Sequence, residues 1–436
     1  MLEELILMCV CASLIGLVKM KLQELSFYLS FVKIITTFTF RLAIQRVQSV
    51  IHRHTYRASP NPRNVVVVGG SFAGSYLVQR LANTLPSGYR VVLLEKQSHF
   101  NHAFAFPRNS VFSGRESKAF IPYDNIADDA PEGIFQRVCD EALEVTDTDI
   151  EMASGNRLSY DYLVIATGAA QPPPARLKSR DRDGCIMELQ GFQQRISKAE
   201  RIAVVGGGAV GVELITEIRE KYPDKQLTLI HSRDQLLPRF GAKLHELVLS
   251  ALRKRNIEVL LKERPALPGQ SGQAVKETQI ALSNGEKRIW DLIIPCTGLR
   301  PRSDLLASFS PKSIASTGEI LVKPTLQVDH LPSSKGNIFA IGDVAQSGGA
   351  KQGRATFMQS EVVTSNITNL IKDKTRMEEY KPIYFEGALN LTLGRDLVLM
   401  YIKRGDFEWV KEMKGHEDED VGAGKQWKAL HAKEIV

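Results

Sequence analysis

Two glycine-rich turns are the segments of this chain best suited to chemistry, because each could hold the phosphates of a nucleotide. The first lies in VVVVGGSFAG, residues 65–74, and the second in RIAVVGGGAVG, residues 201–211. Each follows an apolar run typical of a buried strand and opens a segment with helical periodicity. Such a turn directs backbone N–H groups and a helix N-terminus at a diphosphate. Two turns, more than one hundred residues apart, therefore predict two bound dinucleotides.

A serine interrupts the glycine pattern of the first turn. Gly206, Gly208 and Gly211 meet the spacing Gly-x-Gly-x-x-Gly, but Ser71 occupies the middle position of the first turn. Serine adds only a hydroxymethyl group, so we expect it to be tolerated if its backbone angles are ordinary. Its hydroxyl can also donate to phosphate. The phosphate-binding residues predicted in this turn are Gly69, Gly70, Ser71, Phe72, Ala73 and Gly74.

The strands that follow the two turns end differently. The first, RVVLLEK, ends in Glu95, whose carboxylate could bond the hydroxyl pair of a ribose. The second, LTLIHSR, ends in His231, Ser232 and Arg233. A carboxylate would repel a 2′-phosphate, whereas serine and arginine can accept one, so this pattern makes NADPH plausible beside NADH. The alternative is that these are solvated strand-end residues and that either cofactor is used.

Three further segments combine an apolar strand with a turn. They are YDYLVIATGA (160–169), WDLIIPCTGLRP (290–301) and NIFAIGDVAQ (337–346). The first two predict tight turns at Thr167-Gly168 and Thr297-Gly298, at the edge of each dinucleotide. The third delivers Gly342 and Asp343 to the predicted start of a helix, where the carboxylate could bond a sugar-like hydroxyl. The alternative for Asp343 is a plain helix cap.

Composition narrows the class of protein. The chain has 436 residues, 43% of them hydrophobic, which predicts a soluble body of two or three domains. Residues 1–63 carry eight Lys/Arg against three Glu and so hold +5 of the net charge of +7. A nearly neutral body gives no reason to expect a nucleic-acid partner. The five cysteines form no CxxC pair, so no metal site and no dithiol centre is predicted, and a reducing compartment fits best.

The first sixty residues are apolar and basic. LILMCVCASLIGLV, residues 5–18, is an uncharged run of 14 residues, shorter than the roughly 20 that span a membrane. A second apolar piece follows, and then basic residues at 41–63. We interpret residues 1–62 as an extension that associates with a membrane. The alternatives are an ordinary buried helix and a mis-assigned start.

The order of these motifs resembles that of the two-dinucleotide-domain flavoprotein reductases. Within them the chain is most similar to the apoptosis-inducing-factor-like, mitochondrion-associated oxidoreductases, relatives of the ferroptosis-suppressor quinone reductase and of type II NADH dehydrogenases. SHFNHAFAFPR (98–108), VVGGGAVGVELITEIREKYPDKQLTLIHS (204–232) and NIFAIGDVA (337–345) carry the similarity. It covers roughly residues 63–375, beyond which the C-terminal region of the family is shortened here. KGHEDEDVGAGK, residues 414–425, is expected to be a loop or tail.

The resemblance implies FAD at the first turn and NAD(P)H at the second. It implies that the reaction takes hydride from NAD(P)H to FAD and passes electrons to a small acceptor, above all a quinone. It also gives roles to individual residues near the flavin, nicotinamide or adenine: Arg108 and Asp343 bind FAD, the backbone of Val138 touches adenine, and His102, Glu213 and Lys351 lie at the reacting end. The alternatives are a hydrogen-bonded loop histidine for His102, a solvent-facing glutamate for Glu213 and a surface lysine for Lys351.

The expected fold class is α/β, with two Rossmann-like units and a short C-terminal region. The predicted divisions are an N-terminal extension (1–62), an FAD-binding domain in two parts (63–185 and 300–375), an inserted NAD(P)H-binding domain (186–299) and the C-terminal region (376–436). Intracellular placement at a membrane or mitochondrion is expected, with the cytoplasm as the alternative. Two other functions stay open: an oxidoreductase of a biosynthetic intermediate, and a redox-linked signalling protein.

Overall fold

The structure is a computed structural model. It describes the backbone of residues 2–267, 274–332, 335–415 and 420–433, and the side chains of these ranges from residue 22 onward. The helices in these ranges, apart from short 3-10 turns, are α1 Leu2–Thr55, α2 Phe72–Ala82, α3 Phe106–Asn109, α4 Arg182–Lys198, α5 Ala209–Lys221, α6 Ala242–Lys254, α7 Gly353–Ile371 and α8 Ala423–Ala429.

The strands of the same ranges are short. They are β1 Arg63–Val68, β2 Tyr89–Leu94, β3 His99–Asn101, β4 Phe120–Pro122, β5 Phe135–Val138, β6 Ala142–Val145, β7 Asp149–Met152, β8 Arg157–Ser159, β9 Tyr162–Ile165, β10 Ala169–Ala170, β11 Arg201–Val205, β12 Gln226–Ile230, β13 Glu258–Leu260, β14 Thr278–Ala281, β15 Lys287–Trp290, β16 Leu292–Pro295, β17 Arg300–Pro301, β18 Ile320–Leu321, β19 Ile338–Ala340, β20 Ala345–Gln346, β21 Leu389–Leu393, β22 Leu397–Arg404 and β23 Phe407–Lys414.

Two parallel sheets hold the two glycine-rich turns. The first has the order β19-β9-β1-β2-β5, and the second has the order β13-β12-β11-β16. In β1, Val65 and Val67 pack on one side of the sheet and Val66 and Val68 on the other. Four consecutive valines can be buried only where both faces of a strand are covered, which is the usual environment of a central parallel strand. The turn after β1 therefore lies at the middle of the sheet's carboxyl edge.

The chain completes the first sheet late. Its edge strand β19 pairs with β9 only after the whole second sheet, which ends at β16, has been formed along the chain. Each glycine-rich turn belongs to a strand-helix-strand unit, β1-α2-β2 in the first sheet and β11-α5-β12 in the second, and both strand pairs are parallel. The α/β architecture with two Rossmann-like units is thus confirmed.

The N-terminal segment is one helix rather than two apolar pieces. Helix α1 runs unbroken from Leu2 to Thr55. Its part from Leu22 to Thr55 is long and apolar enough to cross a membrane by length and composition, with a mean hydropathy of 1.4 over its most apolar window, 6% of which is buried. Lysines and arginines do not interrupt it, because they are good helix formers.

The C-terminal region is more ordered than the sequence indicated. Strands β21, β22 and β23 form an antiparallel sheet, and Leu391, Leu393, Leu399 and Tyr401 pack into the core beneath α5. The expectation of a loop or tail at residues 414–425 is wrong in part, because α8 begins at Ala423. Residues 416–419 of that segment lie outside the described residues.

Candidate active site

The first turn leaves no room for side chains at its glycines. A Cβ added at Gly69 would lie 2.5 Å from the carbonyl oxygen of Ala166, and Gly69 has a φ of +102°. A Cβ at Gly74 would fall on the carbonyl oxygen of Gly69. The turn is therefore pressed against the end of β9, and α2 is pressed against the turn, as a phosphate-binding cradle requires.

Ser71 adopts the conformation that a serine accepts without strain. It precedes α2 with φ −76° and ψ −161°, in the extended region. Gly208, at the same place in the second turn, has φ −83° and ψ −178°, and a Cβ there would meet nothing within 4 Å. Both middle positions therefore have ordinary backbone angles, and the space beside Gly208 is free of other protein atoms.

The second turn has the same tight packing as the first. A Cβ at Gly206 would lie 2.3 Å from the carbonyl oxygen of Cys296, and one at Gly211 would lie 1.9 Å from that of Gly206. The residues present at both turns therefore fit a dinucleotide diphosphate, since the cradle excludes side chains of its own and exposes backbone N–H groups at a helix N-terminus.

The strands that follow the two turns end at different side chains, Glu95 in the first unit and His231 in the second. A carboxylate oxygen of Glu95 accepts from the backbone N–H of Gly70, and the other accepts from Gln97 N at 2.8 Å. In the second unit the corresponding N–H, that of Gly207, donates to His231 Nδ1 at 3.1 Å. Burial lowers the pKa of His231. An uncharged imidazole therefore takes the place that a carboxylate holds in the first unit.

One cavity of about 1800 Å³ connects the two turns. It exceeds the roughly 300–1,000 Å³ of a site for one small ligand. Most of the residues predicted from the sequence contribute to its wall: Gly69, Ser71, Phe72, Ala73, Glu95, Arg108, Thr167, Gly168, Glu213, Arg233, Gly298, Gly342, Asp343 and Lys351. Gly168 and Gly298 have φ of +67° and +74°, so both predicted Thr-Gly turns need glycine.

The segment around Asp343 differs from the expectation. Gly342–Val344 is a single 3-10 turn, and the helix expected there, α7, begins only at Gly353. Gly342 N donates to Gln359 Oε1 at 2.7 Å, so a side chain of α7 holds this turn. Asp343 therefore reaches the cavity from a turn, and the helix N-terminus at Gly353 forms a separate part of the cavity wall.

Lys351 is tied to the Asp343 turn. Its ammonium lies 2.6 Å from Glu319 Oε1 and donates to the carbonyl oxygens of Asp343 and Ala345, the first at 3.2 Å. Burial acts to raise the pKa of Glu319, but hydrogen bonding and the charge of Lys351 outweigh it and lower that pKa. Lys351 thus fixes the backbone that carries Asp343 while lining the cavity.

Glu213 is half-buried and lines the cavity. The backbone N–H and the hydroxyl of Thr392 each donate to Glu213 Oε1 at 3.3 Å. Burial raises the pKa of Glu213 to about 8; the charge of Glu217 adds to this, while Thr392 and Arg108 oppose it. Glu213 can therefore hold a proton at neutral pH.

Arg108 and His102 both make contacts within the protein. The Arg108 guanidinium lines the cavity but binds Glu217 Oε1 at 2.8 Å and the carbonyl oxygen of Gly394 at 3.2 Å. His102 is buried with Nε2 2.9 Å from the carbonyl oxygen of Val421. Among the described residues, its neighbours 101, 103 and 104 line the cavity and His102 does not. Its side chain therefore supports the wall from behind.

Val138 ends strand β5 beside Glu95. Its carbonyl oxygen accepts from Glu95 N at 3.0 Å. It is not among the described residues that line the cavity, which continues past it at residues 140–143. The backbone near Val138, rather than its side chain, is thus the part placed toward the first site.

Sequence reasoning missed the residues that distant parts of the chain bring to the cavity. Thr392 arrives from β21, and Arg176 and Arg302 line the cavity from segments between the sheets. Arg302 follows TGLRP, so its closeness to a predicted turn was the one available signal. Nothing in the spacing of Thr392 or Arg176 marks them, because their neighbours in space are far away in sequence.

Two dinucleotide cradles that open on one cavity, with a protonatable carboxylate inside it, define a two-dinucleotide oxidoreductase. The chain belongs to the pyridine nucleotide-disulphide oxidoreductase family, whose profile matches residues 63–363. It is an FAD-dependent NAD(P)H oxidoreductase, and FAD and NAD(P)H are its cofactors.

Named relatives confirm the resemblance seen in the sequence. Fe-regulated protein 8 of Mycosarcoma maydis is 36% identical over 373 residues, 80% of this chain and 91% of that protein. Apoptosis-inducing factor homolog B of Dictyostelium discoideum is 30% identical over 351 residues, 76% and 87% of the two chains. Ferroptosis suppressor protein 1 of Xenopus tropicalis is 31% identical over 344 residues, 76% and 86% of the two chains.

A solved structure shares the fold. The sulfide:quinone oxidoreductase of the hyperthermophilic bacterium Aquifex aeolicus superposes with a TM-score of 0.68 at 17% identity, over 85% of this chain and 92% of that chain. At this identity the likeness establishes the fold and no more.

Proposed function

We propose that this oxidoreductase passes the electrons of NAD(P)H to a quinone. The observation that carries the proposal is an aromatic rim on the cavity, close to an exposed apolar helix. Phe104 and Phe357 line the cavity and leave 54% and 39% of their surfaces exposed. Exposed aromatic groups at a cavity mouth are suited to a flat, lipid-soluble ring. The sulfide:quinone oxidoreductase that shares this fold names quinone in its own activity, but the proposal for this chain rests on the cavity rim and not on that likeness.

Helix α1 adjoins this rim. Its Ser30 hydroxyl lies 2.7 Å from the hydroxyl of Tyr384, which lines the cavity. Farther along, Gln45 donates to Glu361 Oε2 at 2.7 Å, and Glu361 Oε1 accepts from Tyr76, whose ring packs 4.4 Å from that of Phe357. Helix α1 therefore contacts a cavity-lining side chain directly at Tyr384, and it is linked to a second one, Phe357, through Glu361 and Tyr76.

The exposed apolar face of α1 supports membrane association. At 100° per residue, the body-contacting residues Phe27, Ser30, Gln45 and His52 share one face of the helix. The opposite face carries exposed apolar side chains: Leu22, Leu25, Leu29, Val32, Phe40, Val47, Val50 and Ile51. Phe27 and His52 are 25 positions apart, roughly 37 Å of helix. A helix held to the body over that length lies along a bilayer surface instead of crossing it.

The proposal assigns a role to each part of the site. FAD binds at residues 69–74, with Glu95 at its adenosine ribose and Asp343 near its ribityl chain, and NAD(P)H binds at the second turn. The FAD-binding part comprises residues 63–185 and 300–375, with the NAD(P)H-binding part, residues 186–299, between them. Lys351 holds the Asp343 turn in place, and Arg108 holds the carboxylate of Glu217 on α5.

Glu213 supplies the proton that quinone reduction needs. When bound, FAD accepts hydride from NAD(P)H and passes its electrons to the acceptor. A quinone that gains two electrons also takes up two protons. The hydride that leaves NAD(P)H carries two electrons and the equivalent of one proton, and a carboxyl that is protonated near neutral pH can deliver the other. Thr392 holds Oε1 of Glu213 in place through its backbone N–H and its hydroxyl.

The second site favours NADPH beside NADH. His231 stands where a carboxylate would repel a 2′-phosphate, and Arg233, on the cavity wall, can pair with one. This leaves the charge balance at the ribose end of the second turn positive.

The test uses the purified full-length chain. We expect a yellow protein whose flavin absorbance is bleached by anaerobic NADPH and restored by a ubiquinone-type acceptor. Glu213→Gln should bleach normally but reoxidise slowly with quinone, which separates the two half-reactions. Full turnover with oxygen and none with quinones would overturn the quinone assignment while leaving the oxidoreductase intact.

A further inference from the structure

Two arginines that the motifs do not include lie beside the first turn. Arg176 and Arg302 both line the cavity and are half-buried. Neither side chain makes a hydrogen bond or ion pair with another described residue of the chain. Burying cations without a partner is costly, so a half-buried pair of this kind indicates an anionic ligand.

The backbone fastens both arginines to the Thr167-Gly168 turn. Arg302 N donates to the carbonyl oxygen of Gly168 at 3.0 Å, and Thr167 Oγ1 donates to the carbonyl oxygen of Arg302 at 2.6 Å. A Cβ added at Gly168 would lie 3.2 Å from Arg176 Nη2. The short ladder between β10 and β17 joins the two segments that carry them.

This turn lies next to the phosphate cradle. Strands β9 and β1 pair in parallel, with Ile165 opposite Val68, so the turns that follow them are side by side. Contact between the turns is close enough that a Cβ at Gly69 would strike the carbonyl oxygen of Ala166. An anion bound at the N-terminus of α2 would therefore lie between that helix end and the two guanidinium groups.

The surrounding charges show which part of the cofactor lies there. Burial lowers the pKa of Arg176 and the charge of Arg302 lowers it further, while Asp343 and Glu95 act in the opposite direction. Arg176 is thus within electrostatic reach of both the ribose-side and the ribityl-side carboxylates. In FAD the diphosphate joins those two sugars. Two like charges close together also repel each other unless an anion of matching charge separates them.

We infer that Arg176 and Arg302 bind the diphosphate of FAD, completing from the β9 side the site that the first glycine-rich turn begins. Guanidinium groups suit this role because their fork of donors matches two phosphate oxygens at once. The inference rests on the family's use of FAD and is independent of the electron acceptor.

The test compares ligands that differ in phosphate content. Arg176→Gln, Arg302→Gln and the double variant are purified as full-length chains, and FAD dissociation is followed by the flavin fluorescence that appears on dilution. Each single change should weaken FAD binding by about tenfold or more, since a charged hydrogen bond is lost. Riboflavin, which has no phosphate, should bind flavin-stripped variants and the stripped parent equally. The FAD affinity of Arg176→Lys should fall between those of the parent and Arg176→Gln, because lysine keeps the charge but lacks the forked donors of a guanidinium group.

The matched control is Arg157→Gln, which removes the same charge from the same FAD-binding part of the chain. Arg157 is 65% exposed in its side chain, lies 3.8 Å from Glu151 and is not among the described residues that line the cavity, so FAD affinity should change little. An equal loss of FAD affinity in this control would contradict the inference, because it would show that the net charge, and not contact with phosphate, affects binding. Unchanged FAD affinity in the double variant, or equal loss of riboflavin, would overturn the inference. Weakened NADPH binding to the flavin-loaded protein, with FAD unaffected, would assign the arginines to the other dinucleotide. The midpoint of urea unfolding, measured without flavin, identifies a variant that does not fold. If Arg176→Gln does not fold, the FAD affinity of Arg176→Lys tests the inference instead.

Discussion

Ser71 and Gly208 occupy the same place in two turns, and their shared backbone conformation explains why one can be serine. At φ near −80° a side chain adds no strain, in contrast to Gly69 at +102°. What limits position 71 is therefore the space that the diphosphate needs, since backbone conformation is unrestricted there.

Substitutions at Ser71 test this distinction. Ser71→Gly should leave flavin stoichiometry close to that of the parent, because no required contact of the protein is lost. Ser71→Leu should give flavin-free protein, because a branched side chain would enter the phosphate space. The ratio of flavin to protein absorbance measures both, and stoichiometric flavin in the leucine variant would place the phosphates elsewhere.

His231 offers a test of nucleotide choice at the same scale. His231→Glu should restore a carboxylate beside Gly207 and lower kcat/KM for NADPH relative to NADH by about tenfold or more, because the carboxylate repels the 2′-phosphate. His231→Gln, which stays neutral, serves as the control. An unchanged NADPH-to-NADH ratio in the glutamate variant would show that the ribose end lies away from this residue.

The pKa of Glu213 sets a pH dependence with a defined sign. The folded-state pKa is raised to about 8, well above the ordinary value of 4.5. Between these values the folded protein holds a proton that the unfolded chain releases, so this group's contribution to stability is full below pH 4.5 and is lost as pH rises toward 8. Quinone reduction should likewise fall above about pH 8, and Glu213→Gln should lack that decline in a stopped-flow pH profile of flavin reoxidation.

At the scale of elements, strand β21 brings the C-terminal sheet to the cavity wall. Thr392 reaches Glu213 from this strand, and Gly394 contacts both Thr216 and Arg108. The C-terminal sheet thus packs on α5 and also positions its carboxylates.

Changes at Thr392 separate positioning from simple support. Thr392→Val removes one of the two hydrogen bonds that favour the ionised Glu213, so the decline in reoxidation should move to higher pH. Thr392→Ser keeps the hydroxyl and should keep the parent profile. An equal loss of rate at every pH in the valine variant, with no shift, would indicate a packing effect alone.

The sequence predicted the elements whose signal is local. The valine run of β1 and the spacing of glycines at 69–74 and 206–211 fix two strand-turn-helix units because each pattern is complete within about thirty residues. The sequence prediction placed a helix directly after Asp343, but α7 begins only at Gly353. Gly342 has a φ of +77°, which favours a turn at that point. Sequence reasoning could not find Thr392, because the contact joins residues 179 positions apart.

At the scale of the whole molecule, the membrane contact that we propose rests on helix α1. Its apolar face is turned outward along the stretch where its other face is bound to the body. Leu29→Gln with Phe40→Gln, at sites 63% and 69% exposed, should therefore abolish sedimentation with phosphatidylcholine vesicles while leaving the unfolding midpoint unchanged. Thr36→Gln with Thr37→Gln is the control in the same helix. Vesicle binding that survives the first pair would place the membrane contact on another surface.

The late arrival of strand β19 has a consequence for biosynthesis. A ribosome releases the whole second sheet before it makes the strand that completes the first, so the nicotinamide half can fold while the flavin half still lacks an edge. We expect ribosome-stalled chains ending near residue 335 to protect the segment 201–295 from protease but to retain no flavin, because β16 has then left the ribosome and β19 has not been made. Insertion of the flavin is then a late event in the life of each new chain, and flavin supply would limit how much of the finished polypeptide becomes active.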